Sequence, residues 1–232
     1  MIQSPLETHV VFTLGPVPIT APVLTSWAIM LFLAGGGWLL TRQVALRPGM
    51  AQAALELVVE TIEQQIRDTI RVTPTPYLPL IGTLFLFILT ANWSSLVPGV
   101  EPPTAALETD AALALIVFMA VIVFGVRAHG AGGYLRTFAH PNVVMVPLNL
   151  LETITRTLSL TVRLFGNVMS GVFVIGIVLS LVGLLIPVPL MALELLTGAI
   201  QAYIFSILAM VFIGGAVEEE KPRGVAEKEG AA

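Results

Sequence analysis

An arginine lies inside one of the longest apolar stretches of this sequence, at position 163 in the string SLTVRLFGNVMSG. The guanidinium group of arginine stays protonated whatever surrounds it. A permanent charge at membrane depth, among leucine, valine and isoleucine side chains, costs several kcal/mol. Charged groups kept at such a cost mark ion pathways, counter-ions or substrate sites. Arg163 is therefore the first candidate functional residue of the chain.

Other polar residues recur along the side of the helix that is predicted around Arg163. At 100° per residue, six side chains fall within roughly 80° of one another. They are Glu152, Arg156, Ser159, Arg163, Asn167 and Ser170. Serines in such positions commonly form hydrogen bonds between membrane helices. Arg156 lies nearer one end of the helix, where we expect it to reach the interface or to pair with Glu152, four residues earlier.

The last apolar segment carries a second polar stripe. Glu194, Thr197, Gly198 and Gln201 share one helical face at spacings of three, four and seven residues. Glu194 follows the proline-containing turn at 185–190, which puts it near the outer side. A carboxylate there is placed to carry a proton between outside water and a buried site. The alternative is a solvated glutamate at the end of a helix.

A cluster of acidic residues precedes the third apolar segment. The string EPPTAALETDAA carries Glu101, Glu108 and Asp110 and contains no basic residue. Such a loop can collect cations at a channel mouth, or it is only a solvated loop. We expect these three side chains to be open to bulk water, and each to matter less for ion transfer than Glu194.

Composition places these residues in a membrane protein. The 232 residues are 56% hydrophobic and 11% charged, with a mean hydropathy of +0.92, whereas soluble domains carry about 25% charged residues. The absence of cysteine excludes disulfides and thiolate metal sites. Five segments are long enough, or nearly so, to span a bilayer: 21–40, 77–97, 111–126, 147–184 and 190–216. The third must recruit flanking residues, and the fourth must tilt, lie partly along the interface or break.

The basic residues predict the orientation of these spans. Nine of the eleven lysines and arginines fall on one side of a five-span arrangement, and the other two are Arg156 and Arg163. The nine are Arg42, Arg47, Arg67, Arg71, Arg127, Arg136, Lys221, Arg223 and Lys228. Basic loops stay in the cytoplasm. We therefore expect the N-terminus outside and the C-terminus in the cytoplasm.

The sequence thus predicts an all-α polytopic membrane protein of about five membrane helices, the last two long and tilted, in a single membrane domain. Within residues 1–232 we expect an outer segment at 1–20, a helical membrane region at 21–217 and a charged cytoplasmic tail at 218–232.

Residues 50–71 predict a further, amphipathic helix. Apolar side chains recur every three or four positions, at Leu55, Val59, Ile62, Ile66 and Ile70. This helix either lies along the membrane interface or offers a docking surface to a cytoplasmic partner.

Two strings resemble those of the a subunit of F-type ATP synthases. They are RTLSLTVRLFGNVMSG at 156–171 and LELLTGAIQAYIFSILAMVFIGGAVEEE at 193–220. The resemblance extends over about residues 75–220, and HGAGGYLRTFAHPNVVMVPLNLLE at 129–152 fits the link into the long helix. A pairing of RLFGN with a downstream QAYIF is far more specific than one short motif.

The resemblance implies roles for individual residues. Arg163 takes the position of the arginine that faces the rotating ring of c subunits, and Asn167 and Gln201 match its polar neighbours. Glu194 falls where members of the family carry histidine or an acidic residue. Val172 occupies a position that is acidic in some members, so one relay group is absent here. Thr157 replaces a proline often found before the SL string, and the outer loop has no TADLN string.

The implied function is that of a stator subunit, which forms two ion half-channels against the c ring and couples proton flow to ATP synthesis or hydrolysis. The implied partners are the c-subunit ring, the b-subunit peripheral stalk, the F1 sector and membrane lipid, in the cell (inner) membrane. No cofactor, metal, nucleic acid or catalytic residue is expected in this chain itself. Two alternatives stay open: a Na⁺-translocating form of the same subunit and, more remotely, a stand-alone transporter or channel. The latter is disfavoured because the sequence lacks inverted repeats.

Overall fold

A computed structural model describes residues 10–14, 17–42, 49–70, 73–97, 100–138, 145–182 and 187–218. Some predicted features lie outside these residues. They are the first nine residues, nearly all of the charged tail at 218–232, and Arg47 and Arg71.

The described chain is built from six α-helices that follow a short β-hairpin. Strands β1 (Val10–Leu14) and β2 (Val17–Thr20) pair antiparallel, with a register irregularity between Val10 and Phe12. The helices are α1 (Ala21–Thr41), α2 (Met50–Ile70), α3 (Leu78–Trp93), α4 (Leu107–Phe138), α5 (Met145–Val182) and α6 (Pro187–Glu218). Two 3₁₀ turns, Ser94–Leu96 and Pro103–Ala105, lie between α3 and α4. The prediction of a polytopic helical protein is confirmed, and the hairpin is an addition that it did not include.

Five of these helices are long and apolar enough to cross a membrane. Their candidate spans are Ala21–Leu39, Leu78–Leu96, Leu107–Gly130, Pro147–Leu181 and Val188–Val217. The third recruits flanking residues, as expected, because α4 begins at Leu107. The fourth is one unbroken helix of 38 residues. At 1.5 Å per residue it is about 57 Å long, nearly twice the hydrocarbon thickness, so it must tilt or extend beyond the bilayer.

Helix α6 packs against four other helices and forms the centre of the bundle. Its inward face alternates small and large side chains, with Ala202, Phe205, Ala209 and Ile213 all nearly inaccessible. Small residues let neighbouring helices approach closely, and dispersion contacts then replace the hydrophobic effect, which lipid does not supply. The shared core includes Ile81 and Ile88 from α3, Val117 from α4 and Leu164 from α5.

Helix α2 belongs to this bundle. Ile62, Ile66 and Ile70 are buried against the core, and α2 contacts both α3 and α6. The predicted apolar face is therefore largely confirmed. Val59 departs from it and is 39% exposed, because the bundle covers only the second half of the helix. The Gln65 side-chain amide also donates to the Tyr203 hydroxyl at 2.9 Å.

The end of α3 and the starts of α4 and α6 meet on one side of the bundle. The α3–α4 connection lies there, and the turn Pro103–Ala105 packs against α3, α4 and α5. The Trp93 indole N–H donates to the Leu195 carbonyl at 3.2 Å, which ties the end of α3 to the start of α6. We call this side the acidic end, because four acids lie on it: Glu101, Glu108, Asp110 and Glu194.

Helix α4 is interrupted at Gly130, the last residue of its candidate span. Gly130 has φ 73° and ψ 162° inside the helix. This region of backbone space is essentially restricted to glycine, since a Cβ there strains the backbone. A Cβ at Gly130 would meet no atom within 4 Å, so only the backbone conformation requires glycine.

We predict that Gly130→Ala destabilises the chain by about 1–3 kcal/mol through backbone strain alone. Gly132→Ala is the matched control, because Gly132 is exposed, helical and also without neighbours within 4 Å. That substitution should leave stability unchanged or raise it by up to about 1 kcal/mol. Thermal unfolding of the two purified variants measures the difference. Equal unfolding temperatures of the two variants would contradict the prediction, because they would show that an alanine at position 130 causes no backbone strain.

Candidate functional site

Arg163 lies on the outward face of α5. Leu160 and Leu164 on either side of it are buried, with exposures of 2% and 0%, whereas Arg163 is exposed. Within the described residues its guanidinium makes no hydrogen bond and no ion pair. The helix thus turns its apolar side to the bundle and its charge away from it.

Exposed apolar side chains flank the polar stripe of α5 that contains Arg163. Leu158, Val162, Phe173 and Val174 are 58%, 62%, 44% and 48% exposed. In a membrane such a surface faces lipid or another protein. A guanidinium without a counter-ion on a lipid-facing surface costs several kcal/mol. The arrangement therefore calls for an anionic group supplied from outside the described chain.

Arg163 opens onto a groove between α5 and α6 of about 610 Å³. The groove is lined by Leu148, Leu151, Glu152, Thr155, Arg156, Ser159, Leu160, Arg163, Leu208 and Phe212. Four residues of the predicted stripe are thus brought to one surface. The groove runs from Arg163 toward the side of the bundle opposite the acidic end, because its other α5 residues precede Arg163 in the helix.

The second arginine of α5 differs from Arg163 in having partners. Arg156 forms an ion pair with Glu152, as its spacing predicts. Its guanidinium also lies over the Phe212 ring at 5.1 Å, a cation–π contact. Both carboxylate and ring hold Arg156 in place, so one arginine of the helix is neutralised within the chain and the other is not.

The two polar residues that follow Arg163 form no hydrogen bond to another helix in the described part of the chain. The Ser170 hydroxyl donates at 2.9 Å to the Asn167 carbonyl of its own helix. Asn167 is half-buried. The prediction of hydrogen bonds between helices is therefore wrong for Ser170, because a serine at this spacing reaches its own backbone first.

The predicted stripe on α6 faces the interior. Gly198 packs so tightly that a Cβ on it would lie 3.0 Å from the Asn92 Cβ, and its carbonyl accepts a 2.9 Å bond from the Asn92 amide. Gln201 is 7% exposed, and its amide nitrogen has no partner among the described residues. A buried donor without a partner is rare in a purely structural position.

Glu194 is inserted between α6 and α5. A Cβ on Gly171 would lie 2.6 Å from the Glu194 Oε1, so the glycine makes room for the carboxylate. That oxygen is buried and has no hydrogen-bond partner in the described chain. The Ser95 hydroxyl lies at the carboxylate and also donates to the Asn92 carbonyl at 2.7 Å. Glu194 is therefore not the solvated helix end that the sequence left open.

A hydrogen-bonded network joins Glu194 to the second 3₁₀ turn. The Thr104 hydroxyl donates to the Asn92 side-chain oxygen at 2.8 Å, and the Ser95 hydroxyl donates to the Asn92 backbone carbonyl at 2.7 Å. Thr104 and Asn92 are 0% and 4% exposed. Asn92, Ser95 and Thr104 are not among the residues predicted from the sequence. The available signal was the polar string TANWSS at the end of an otherwise apolar span.

The three acids of the predicted outer loop have different environments. Glu108 is exposed and Glu101 half-buried, but Asp110 is 0% exposed, and both of its carboxylate oxygens lack a partner among the described residues. The expectation that Asp110 is open to bulk water is wrong. Helix α4 begins earlier than predicted, which puts Asp110 in its first turn, on the same face as the buried Leu113 and Val117. The described acids and histidines form no cluster that could hold a metal ion.

Comparisons with known proteins agree with this architecture. A family model described as ATP synthase A chain matches residues 23–214. ATP synthase subunit a 2 of Bradyrhizobium sp. (strain BTAi1) is 55% identical over 217 residues, covering 94% of this chain and 97% of that protein. ATP synthase subunit a of Albidiferax ferrireducens is 47% identical over 211 residues, covering 90% of this chain and 91% of that protein. ATP synthase subunit a 1 of Chlorobaculum parvum is 48% identical over 204 residues, covering 87% and 90%. The chain therefore belongs to the ATP synthase A chain family, as a multi-pass membrane subunit of the Fo sector of an F-type ATP synthase.

Proposed function

We propose that this chain is the stator surface of the Fo sector, which provides two ion half-channels against a rotating c ring. The observation that carries the proposal is Arg163, which is exposed on α5 and has no hydrogen-bond or ion-pair partner among the described residues. A carboxylate on a neighbouring ring would be the anion that this face requires. The chain has no catalytic role of its own, and it couples ion flow to ATP synthesis or hydrolysis in the complex.

Arg163 has two tasks in this mechanism. A ring carboxylate that arrives with its ion bound meets the guanidinium, which favours the charged form of the carboxylate and so releases the ion. Arg163 also repels free cations, so ions cannot pass directly from one half-channel to the other. Each elementary charge that crosses gains about 2.3 kcal/mol per 100 mV of membrane potential. The attraction must also be weak enough for the ring to move on.

The two half-channels correspond to two parts of the bundle. The acidic end, with Glu194 and the buried Gln201 beyond it, forms the outer one. The groove with Glu152 and Arg156 forms the cytoplasmic one. Asn167 lies one turn from Arg163 on the acidic-end side, between these parts. Val172 carries no ionisable group, so Glu194 is the main relay on α6.

The remaining partners are proposed from the role of the family. They are the b-subunit peripheral stalk, the F1 sector and membrane lipid, in the cell (inner) membrane. Helix α2 keeps Met50, Leu57 and Val59 exposed at 96%, 65% and 39%, a surface that suits interfacial lipid.

The coupling ion is proposed to be the proton, with Na⁺ as the alternative. Carboxylates such as Glu194 transfer either ion. Reconstituted vesicles decide between them: ATP synthesis driven by a pH gradient without Na⁺ supports the proton, and synthesis that needs a Na⁺ gradient at equal pH supports the alternative.

We predict that Arg163→Ala lowers ion-driven ATP synthesis by about a hundredfold or more, because the electrostatic stabilisation of the ring carboxylate is lost. The chain should still insert and assemble, since Arg163 makes no contact that the fold needs. Arg163→Lys should fail too, because a lysine is a point charge that deprotonates readily when desolvated. The measurement is ATP synthesis by the reconstituted complex under an imposed ion gradient.

Arg127→Ala serves as the control, since Arg127 is an exposed arginine at the far end of the α4 span. Its rate should stay within about twofold of wild type, as for most surface substitutions. Coupled synthesis retained in Arg163→Ala would overturn the stator proposal.

The basic residues predict that residue 1 is outside and residue 232 cytoplasmic. Protease-sensitive tags at the two ends should then be cleaved from opposite sides of right-side-out vesicles. Cleavage of both tags from one side would contradict an odd number of spans.

We predict that Glu194→Gln slows ion entry and shifts the pH dependence of transport while the complex still assembles. The physical reason is that the buried Oε1 loses its ability to bind and release an ion, whereas the amide fills the same space beside Gly171. Glu108→Gln is the control, because Glu108 is exposed at the same end. If Glu194→Gln transported ions at the wild-type rate across the pH range, Glu194 would not be the relay, and Glu152 would be the next residue to test.

A further inference from the structure

The groove between α5 and α6 contains a second arginine to which the mechanism above gives no task of its own. Arg156 and Arg163 both line the groove, together with one acid, Glu152. The two arginines are seven residues apart on one helix, which corresponds to about 10 Å along the helix axis. The side chains that α6 contributes to the lining, Leu208 and Phe212, are apolar. A cation that leaves Arg163 through this groove therefore has to pass Arg156.

Arg156 is held in the groove by two groups. The ring of Phe212, on the opposite wall, lies 5.1 Å from its guanidinium in a cation–π contact, and the Glu152 carboxylate forms an ion pair with it. Basic residues near the cytoplasmic end of a span help to fix the orientation of the helix. The guanidinium cannot lose its proton, so a residue that suits the end of the span also puts a permanent positive charge beside the path of the ion.

The ion pair contributes little to the stability of the fold. The side chains of Arg156 and Glu152 are 48% and 54% exposed, and exposed pairs four residues apart on a helix are weak. Among the described residues, the Glu152 carboxylate has no other hydrogen-bond or ion-pair partner. Its contact is therefore with the charge of Arg156 and with no other part of the bundle.

This pair determines the charge that the groove presents to an ion. Among the described residues that line it, only Glu152, Arg156 and Arg163 are ionisable, and α6 has no charged residue between Glu194 and Glu218. While the Glu152 carboxylate is charged, one positive charge remains uncompensated, and without it there would be two. A second uncompensated guanidinium about 10 Å from Arg163 would repel the leaving cation, because a groove between helices screens charges less than bulk water does.

We infer that Glu152 is the counter-ion that prevents Arg156 from blocking the cytoplasmic half-channel, and that the ion passes this pair without binding to Glu152. The inference rests on the proposed stator function, in which the groove is that half-channel. It adds a compensating residue, which acts on the ion only through Arg156, and it explains why Glu152 and Phe212 hold one arginine of α5 while the other stays free for the ring.

A double-mutant cycle in the complete complex, reconstituted in vesicles, tests the inference. Glu152→Gln keeps the shape of the side chain but leaves Arg156 uncompensated, so ATP synthesis driven by an imposed ion gradient should fall by about tenfold. Adding Arg156→Gln removes the repulsion, and the rate should recover to within about threefold of wild type. Higher salt on the groove side should also restore part of the rate of Glu152→Gln, because mobile ions screen the guanidinium.

The chain offers a matched control in a second glutamate–arginine pair. Glu63 and Arg67 have the same residue types and the same spacing on α2, and they do not line the groove. Glu63→Gln, alone or together with Arg67→Gln, should leave the rate within about twofold of wild type. The salt concentration should affect these control variants no more than it affects the wild-type complex.

Two other roles of Glu152 predict different results. If Glu152 carried the ion, the single and the double variant would be equally slow, and added salt would restore neither of them. If Glu152 served the fold, the melting temperature of the complex would fall in Glu152→Gln in parallel with the rate. Either result would overturn the inference, which expects unchanged melting temperatures because the pair is exposed.

The same assays separate this inference from the function on which it rests. Wild-type transport in Glu152→Gln, with Arg163→Ala inactive, refutes the role of Glu152 and leaves the stator proposal standing. Coupled synthesis in Arg163→Ala refutes the stator proposal itself.

Discussion

One charge without a partner constrains the rest of this structure. Arg163 cannot lose its proton, and no side chain in the described part of the chain forms an ion pair with it. The described residues supply it with no anion, although Glu152 pairs with Arg156, seven residues earlier on the same helix. Because a chain that neutralises one arginine could neutralise the other, the free guanidinium is best understood as half of an interaction completed by another subunit.

The packing of the bundle leaves the Arg163 side chain exposed. Helix α5 is long and unbroken, so it carries Arg163 on a rigid support. Its buried side, with Leu160, Leu164 and Val168, packs against the rest of the bundle, whereas Arg163 is exposed on its other side. Helix α6 provides the tight, small-residue core against which the other helices pack. A rigid bundle is what a stator needs, since a charge on a mobile support would follow a moving ring.

Most of the membrane architecture could be predicted from the sequence, because hydrophobic length and helical periodicity determine it. The five spans, the inward face of α2 and the Glu152–Arg156 pair depend on residues three to four positions apart or on runs of apolar residues. The burial of Asp110 depends on where α4 begins. The sequence predicted a start at residue 111, whereas α4 begins at Leu107, so Asp110 lies in a buried helical turn and not in an exposed loop. The contacts of Asn92 with Thr104 and Gly198 join distant segments and have no periodic signal.

The acids and the arginine are useful only while they remain apart. In the described structure the two ion pairs are Glu63–Arg67 and Glu152–Arg156, and neither involves Arg163, Asp110 or Glu194. If Glu194 paired with Arg163, the acid would no longer bind a mobile cation, and the arginine would no longer attract a ring carboxylate. Such a pair would leave neither charge uncompensated in the isolated chain, but it would remove the function of both residues. Separate placement, with the acids at one end and the arginine on the outward face of α5, keeps each charge available for a partner that moves.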